Sequence, residues 1–93
     1  MIELAGKAYG MTYEYTCEEV RRTADEAVFR TLSDPPHQVR LTPRYEGSRI
    51  GDEDIVVDEG PATVCAFYID GKYAALALFV HSGSDIKIVP YEL

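Results

Sequence analysis

The stretch GDEDIVVDEG, residues 51–60, surrounds three apolar residues with five carboxylates and contains no basic residue. The carboxylates belong to Asp52, Glu53, Asp54, Asp58 and Glu59. Such oxygens suit calcium or magnesium, but an EF-hand loop needs acids at alternating positions, then a glycine and a distant glutamate. If residues 55–57 form a strand, Asp54 and Asp58 lie about 13 Å apart, too far to share an ion directly. The pattern therefore predicts no metal site and favours acids displayed at both ends of a short strand.

Cys17 is the candidate for nucleophilic chemistry, because the surrounding pattern predicts that it lies in the first turn of a helix. The positive end of a helix dipole lowers the pKa of a thiol. His37 or His81 would act as its base only if the fold brought one of them within hydrogen-bond distance. Cys17 also shares an apolar stripe with Val20, which favours a buried thiol. A cysteine-dependent enzyme or redox protein is therefore the alternative hypothesis, and we assign no catalytic residue.

The other reactive residues form no motif for catalysis or for a cofactor. The two histidines are far apart in the chain and have no neighbouring cysteine at the spacing of a zinc site. Cys65 lies in an alternating apolar segment, where packing is the expected role. There is no glycine-rich phosphate loop, no G-x-S-x-G and no H-E-x-x-H. We therefore expect a protein that is not an enzyme and that uses no cofactor.

Charge is distributed unevenly in this chain of 93 residues, whose formal net charge is −7. Residues 52–93 contain eight acids but only Lys72 and Lys87 as bases. A surface of this sign is repelled by nucleic acids and anionic membranes, so the favoured partner is a protein with a basic surface. The sequence has no apolar run near the length of a membrane span and no signal peptide, and its two cysteines are too few for a disulfide scaffold. We expect a cytoplasmic location.

A helix is the first element that would position these residues, and it is predicted over TCEEVRRTADEAVFRTLSDPP, residues 16–36. Thr16 and Glu19 match a capping box, and the two prolines would end the helix. Apolar residues recur every three or four positions at Val20, Ala24, Ala27, Val28 and Leu32. Two predicted ion pairs four residues apart, Glu18 with Arg22 and Glu26 with Arg30, occupy the opposite face.

Alternating apolar residues predict strands elsewhere, and three β-branched residues predict the short strand IVVD. The predicted strands are AYGMTYEYT at 8–16, HQVRLTPRY at 37–45, IVVD at 55–58, ATVCAFYI at 62–69, KYAALALFV at 72–80 and IKIV at 86–89. Pro43 lacks a backbone donor, which favours a sheet edge for the second of these. Asp70 and Gly71 match a two-residue type I′ turn, so a hairpin with Ile69 opposite Lys72 is expected. The last three strands then form a β-meander.

The two faces of that meander follow from the predicted register, which pairs Phe67 with Ala74 and Cys65 with Leu76. The predicted core face holds Phe67, Ile69, Leu76, Leu78, Val80, Ile86 and Ile88. The opposite face holds Tyr68, Tyr73, Ala75, Ala77, Phe79, His81, Val89 and Tyr91. That face is too apolar for a solvated sheet surface, so either the first strand covers it or it binds another molecule.

These observations predict an α+β fold in one domain over residues 1–93: one helix packed on an antiparallel sheet of about five strands, with a C-terminal β-meander. The leading functional hypothesis is a small acidic protein-binding module. Its most plausible role is stoichiometric inhibition of a nucleic-acid-handling protein, of the anti-CRISPR, nuclease-inhibitor or immunity-protein type. The expected contact residues are Asp52, Glu53, Asp54, Asp58, Glu59, Tyr68, Tyr73 and Phe79. A structural subunit that forms homodimers through the tyrosine-rich face is a further alternative.

Overall fold

Eight strands make up the regular structure of residues 2–93, which are the residues that this computed structural model describes. Their bounds are β1 Ile2–Ala8, β2 Met11–Arg22, β3 Ala27–Thr31, β4 Gln38–Pro43, β5 Ile55–Val57, β6 Gly60–Ile69, β7 Lys72–Ser82 and β8 Asp85–Tyr91. Their order in the sheet is β4-β3-β2-β1-β8-β7-β6-β5, and an additional pairing joins β4 to β6. That pairing closes seven strands into a barrel, with β5 attached beside β4 along the edge of β6.

The number of strands in the barrel determines whether its first and last strands run parallel or antiparallel. Consecutive strands of the closed sheet run antiparallel, so the first and last of seven point the same way. β1 and β8 accordingly pair in parallel, with Ile2 opposite Ile86 and Leu4 opposite Ile88. All the other pairings are antiparallel.

The predicted α+β fold is wrong, because the segment expected to be its helix forms two strands. β2 continues through Arg22, and β3 returns antiparallel beside it, with Glu18 opposite Arg30. Those two side chains pair across the strands at 2.6 Å, rather than with partners four residues away. Between the strands, the hydroxyl of Thr23 accepts bonds from the backbone N–H groups of Asp25 and Glu26. No helix in the described range is long and apolar enough to cross a membrane.

Long-range pairing explains why this segment departs from its helical pattern. Each strand contributes interior residues at alternating positions, with Cys17 on β2 and Ala27 and Phe29 on β3. Val20 and Leu32, which belonged to the predicted helical stripe, remain largely exposed. Local helix propensity is worth only tenths of a kcal/mol per residue, so pairing and burial in a barrel override it.

A β-bulge reverses the predicted faces of β7. The Asp70–Gly71 turn is confirmed, since both residues have positive φ and Ile69 lies opposite Lys72. Beyond Tyr68, however, the register shifts by one residue and Phe67 pairs with Ala75, so Ala74 is the extra residue. Because side chains alternate along a strand, this single insertion exchanges the inner and outer faces of the rest of β7.

The barrel interior is filled with side chains. The largest fully buried apolar residues of the core cluster are Phe29, Phe67, Phe79, Leu4, Leu41, Ile88 and Val39. The rings of Tyr13 and Phe67 pack edge to face with centroids 5.2 Å apart, while Phe29 and Phe79 stack at 6.3 Å. The small residues Ala75 and Ala77 leave room for these rings. Small barrels of this kind have interiors packed by side chains, so function is expected on the outside.

Candidate functional site

The acidic stretch lies at the end of the barrel where β2 meets β3 and β7 meets β8. β5 forms a hairpin with the start of β6, and Asp58 and Glu59 occupy the exposed turn between them. The loop before β5 folds inward, and Ile50 packs against the core, where its backbone N–H donates to the carbonyl of Ala24. The stretch is therefore held on a defined frame at one end of the molecule.

Two acids of the stretch, Asp52 and Asp54, accept hydrogen bonds that hold the loop in place. The carboxylate of Asp54 accepts bonds from the Ser48 hydroxyl at 3.0 Å and from the backbone N–H of Val64 at 2.9 Å. Asp52 accepts the backbone N–H of Arg49 through its side chain and the Thr63 hydroxyl through its carbonyl. Asp54 is half-buried, whereas Asp52, Glu53, Asp58 and Glu59 are exposed. Four of the five carboxylates thus present charge to solvent, and Asp54 fastens the loop to β6.

Phe79 does not share a surface with Tyr68 and Tyr73, although the predicted register placed all three together. The bulge at Ala74 turns Phe79 into the barrel, where its exposed fraction is 0%. Tyr68 is half-buried on the outside and Tyr73 is 57% exposed. Their rings pack edge to face with centroids 5.7 Å apart. The bulge therefore leaves two of the three predicted aromatic contacts on the surface.

A tyrosine face can be defined on the outside of β4, β6, β7 and β8. It comprises Arg40, Tyr68, Tyr73 and Tyr91 on the strands, with Arg44 and Tyr45 directly after β4 and near Tyr91. Cross-strand pairing places Leu76 beside Tyr91 and Leu78 beside Val89, so the bulge turns both leucines to the outer side of β7, where Leu76 is 8% exposed. Leu78 and Val89 are half-buried, and Tyr45 is 54% exposed. Sequence reasoning missed these leucines, since only the extra residue at the bulge turns them outward.

The electrostatics of the tyrosine face depend on the Arg40 guanidinium, which stacks on Tyr68, and on the hydroxyl of Tyr91. The guanidinium of Arg40 lies 4.3 Å from the ring centroid of Tyr68, within cation–π range, and 3.7 Å from the carboxylate of Glu26. Burial raises the pKa of Tyr91 above its ordinary value of 10, and nearby Tyr45 raises it further. Tyr91 is therefore a protonated hydrogen-bond donor at neutral pH. Tyrosine and arginine are the residue types enriched where proteins contact one another.

Neither cysteine has the environment of a nucleophile. Cys17 lies in β2 with 4% of its surface exposed, so no helix end is available to activate it. Burial raises the pKa of Cys17 to about 11. Burial also raises the pKa of Cys65 to about 12, and the charge of Asp54 adds to that effect. Both thiols are unpaired and packed in the core, which is the usual state of a structural cysteine.

His37 and Asp70 form the closest pairing of a histidine with a carboxylate. Nδ1 of His37 donates to Asp70 at 2.7 Å, and the backbone N–H of Gln38 donates to the other carboxylate oxygen at 3.0 Å. They border a surface groove of about 290 Å³ that Val20 and Val28 also line. Within residues 2–93, the hydrogen-bond partner of the His37 ring is the Asp70 carboxylate and not a hydroxyl or a thiol. The pair therefore anchors the β6–β7 turn to β4. The sequence analysis did not predict this role, because the two residues are 33 positions apart.

His81 has a different environment at the opposite end of the barrel. Its Nε2 atom is buried without a hydrogen-bond partner in the described part of the chain, and its ring lies beside Phe79. Residues 2–93 contain no group of three or more histidines, cysteines or carboxylates arranged to hold a metal. The tyrosine face is the candidate site, because its tyrosines and arginines are residue types enriched where proteins contact one another.

The function must consequently be inferred from the residues of this chain. Comparisons with protein-family models, with curated proteins and with solved structures found no match.

Proposed function

We propose that this chain is a protein-binding module without enzymatic activity, and that the tyrosine face is the centre of its contact surface. The observation that carries the proposal is the cluster of four tyrosines and two arginines on the outside of the barrel. Rigid aromatic side chains give large contact areas at low cost in conformational entropy. The packed interior supports the proposal. Because side chains fill the barrel, the outer surface is where a partner would bind.

The expected partner is a protein with a basic surface. The net charge of −7 favours fast association with such a partner, since complementary fields accelerate diffusional encounter. Arg40 does not oppose this, because its guanidinium is already paired with Glu26. The two buried, unpaired thiols fit a reducing compartment, so we retain the cytoplasm as the proposed location.

The contact surface can be tested by affinity capture from an extract of the native host. The informative variant is Tyr45→Ser with Tyr73→Ser, which removes the two most exposed rings of the tyrosine face. The matched control is Tyr9→Asn, which removes a ring of similar exposure (61%) from the β1–β2 turn. Asparagine is favoured at the positive φ of that position, so the control retains the turn.

We expect the control to capture the same partner as the wild type and the double variant to capture at least tenfold less. Thermal melts of all three proteins establish that each one is folded. Equal capture by the double variant and the wild type would reject the tyrosine face as the contact surface. Capture that does not weaken between about 0.05 and 0.5 M salt would reject the basic partner.

Within this function, we assign the partner to nucleic-acid-handling proteins, for which this chain acts as a stoichiometric inhibitor. Such proteins carry a groove of lysines and arginines for phosphates, and carboxylates on a rigid frame can occupy it. The purified partner should then be released from the immobilised chain by short duplex DNA or RNA. It should also lose its nucleic-acid-dependent activity at a molar ratio near one. Partner binding that is indifferent to added nucleic acid would exclude this role.

Self-association through the same face is the second candidate, and the exposed Tyr73 and half-buried Leu78 favour it. Sedimentation equilibrium over a hundredfold concentration range separates the two possibilities. A homodimer that is lost in the Tyr45→Ser, Tyr73→Ser variant supports a structural subunit. A monomer at all concentrations would indicate that the tyrosine face binds a different protein.

A further inference from the structure

We infer that β5 is a second docking site, at which an extended basic segment of a partner adds to the sheet as a further strand. In residues 2–93, β5 pairs with β6 on one side and with no strand on the other. It lies at one end of the strand order while the seven barrel strands close on themselves. The inference does not depend on the tyrosine face, which includes no residue of β5.

Backbone groups at this edge are available for pairing. Val56 lies opposite Pro61 in the antiparallel ladder, and proline has no N–H to donate. Residues that face each other in such a ladder either exchange two hydrogen bonds or none. Val56 and Pro61 are therefore a non-hydrogen-bonded pair, and the N–H and C=O of Val56 point away from β6. One donor and one acceptor thus stand on the open edge.

Side chains along β5 are exposed to an unusual degree. Val56 is 76% exposed and Ile55 is 39% exposed, although β-branched residues gain most when a neighbouring strand covers them. An added strand would bury these side chains as well as satisfy the backbone. Proteins commonly protect an open edge by keeping it short or by surrounding it with charge.

Charge around the edge selects the occupant. Asp52 and Glu53 precede β5, Asp58 and Glu59 follow it, and all four are exposed. Residues 50–71 contain no lysine, arginine or histidine. A second copy of the chain would bring an equal set of acids to the same edge, so the charges oppose pairing between copies. They favour a segment that alternates lysine or arginine with β-branched residues, whose backbone pairs while its cations reach the acids.

The probe is a synthetic seven-residue peptide, Lys-Val-Lys-Val-Lys-Val-Lys, with blocked termini. The first control peptide carries backbone N-methyl groups on alternate residues. It is made in two versions, because the N–H groups of an extended peptide point alternately to its two edges and each version removes those of one edge. A second control replaces each lysine with glutamate. Binding is measured by fluorescence anisotropy, and the site is located by amide hydrogen exchange of residues 54–60 in the full chain.

We expect the lysine peptide to slow exchange of the Val56 amide at least tenfold. One N-methyl version should bind at least tenfold more weakly than its parent, and the glutamate peptide should not bind. Val56→Pro removes the edge donor without touching the barrel ladder, and it should weaken lysine-peptide binding to the same degree as N-methylation. A matched Val56→Thr variant retains the donor and should bind normally.

Equal affinity of the lysine peptide and both N-methyl versions would overturn the inference, because it would reduce the interaction to diffuse charge attraction. Unchanged exchange at Val56, or absence of lysine-peptide binding at low salt, would overturn it as well. The Tyr45→Ser, Tyr73→Ser variant should bind the lysine peptide as the wild type does. Failure of the tyrosine face therefore remains distinguishable from failure of the β5 edge.

Discussion

Neighbouring carboxylates in one short stretch have different physical roles, as Asp54 and Glu53 illustrate. Asp54 accepts two hydrogen bonds, one of them from the backbone of the buried residue Val64. Glu53 is exposed, and its carboxylate accepts no hydrogen bond from residues 2–93. Composition alone cannot separate them, because the distinction depends on where the loop meets β6.

Replacement of Asp54 by alanine should therefore destabilise the protein while replacement of Glu53 should not. Asp54→Ala leaves the Val64 N–H and the Ser48 hydroxyl without their acceptor, and such a loss costs about 1–3 kcal/mol. Glu53→Ala should change the free energy of unfolding by less than about 0.5 kcal/mol. Urea denaturation of both variants provides the measurement, and equal stabilities would contradict the loop anchor.

The pairing of Asp70 with His37 predicts a dependence of stability on acid. The His37 ring donor lowers the pKa of Asp70 below its ordinary 3.8, and the Gln38 N–H lowers it further. Because the pKa is lowered in the folded state, the stabilisation is complete above the unfolded pKa and disappears as pH falls through the folded value. The effect should be modest, since the Asp70 side chain is 54% exposed and solvent screens it.

Asp70→Asn provides the test, because asparagine also suits the positive φ of this turn position. The wild type should have the higher Tm above about pH 5, and its advantage should shrink as pH falls to about 2.5. An advantage of the wild type that is constant over this range would contradict the contribution of the carboxylate.

Among the elements, β7 shows how one inserted residue decides which side chains form the core. In the uninterrupted register predicted from the sequence, Ala66 and Ala77 lie on the same face of the hairpin. The bulge separates them, so Ala77 is fully buried while Ala66 is half-buried on the outside. A pair of identical substitutions can therefore report the register.

Ala77→Leu should destabilise the barrel by about 1–3 kcal/mol, because added volume in a packed interior forces neighbouring side chains out of their preferred rotamers. Ala66→Leu should have a smaller effect, because the added methyl groups project toward solvent. Denaturant titration measures both. Equal losses in the free energy of unfolding for the two variants would indicate that the register without a bulge is correct. Phe79 would then lie on the outside of the barrel.

Local chemistry explains which elements could be predicted from the sequence. The Asp70–Gly71 turn depends on the residues that form it. β4 follows from alternation in HQVRLTP, and β5 follows from three consecutive β-branched residues. The placement of β4 at a sheet edge is wrong, since it pairs with both β3 and β6. The bulge and the β2–β3 hairpin depend on partners distant in sequence, and residues 16–36 also satisfy a helical pattern. The tyrosine face was only partly predicted, because its leucines depend on the bulge.

Closure of the whole molecule depends on the β4–β6 pairing and on a second seam, the parallel contact between β1 and β8. Within residues 2–93, the ladder there is short and involves Ile2, Glu3 and Leu4 of β1. Farther along β1, Gly6 lies so close to β8 that a Cβ atom would stand 2.7 Å from the carbonyl oxygen of Pro90. This approach involves backbone and cannot be relieved by rotation of a side chain. Gly6 is therefore the residue whose size permits the seam to close.

Gly6→Ala should weaken closure of the barrel rather than one hairpin. We expect a loss of about 1–3 kcal/mol in the free energy of unfolding, the usual cost of forcing extra volume into a packed contact. Amide exchange should accelerate first at Leu4 and Ile88, which face each other across the seam. Gly10→Ala is the control, since a Cβ there meets open space and incurs only the strain of its positive φ. Equal acceleration at the β6–β7 hairpin in Gly6→Ala would indicate that the barrel opens as one unit instead of parting at the β1–β8 seam.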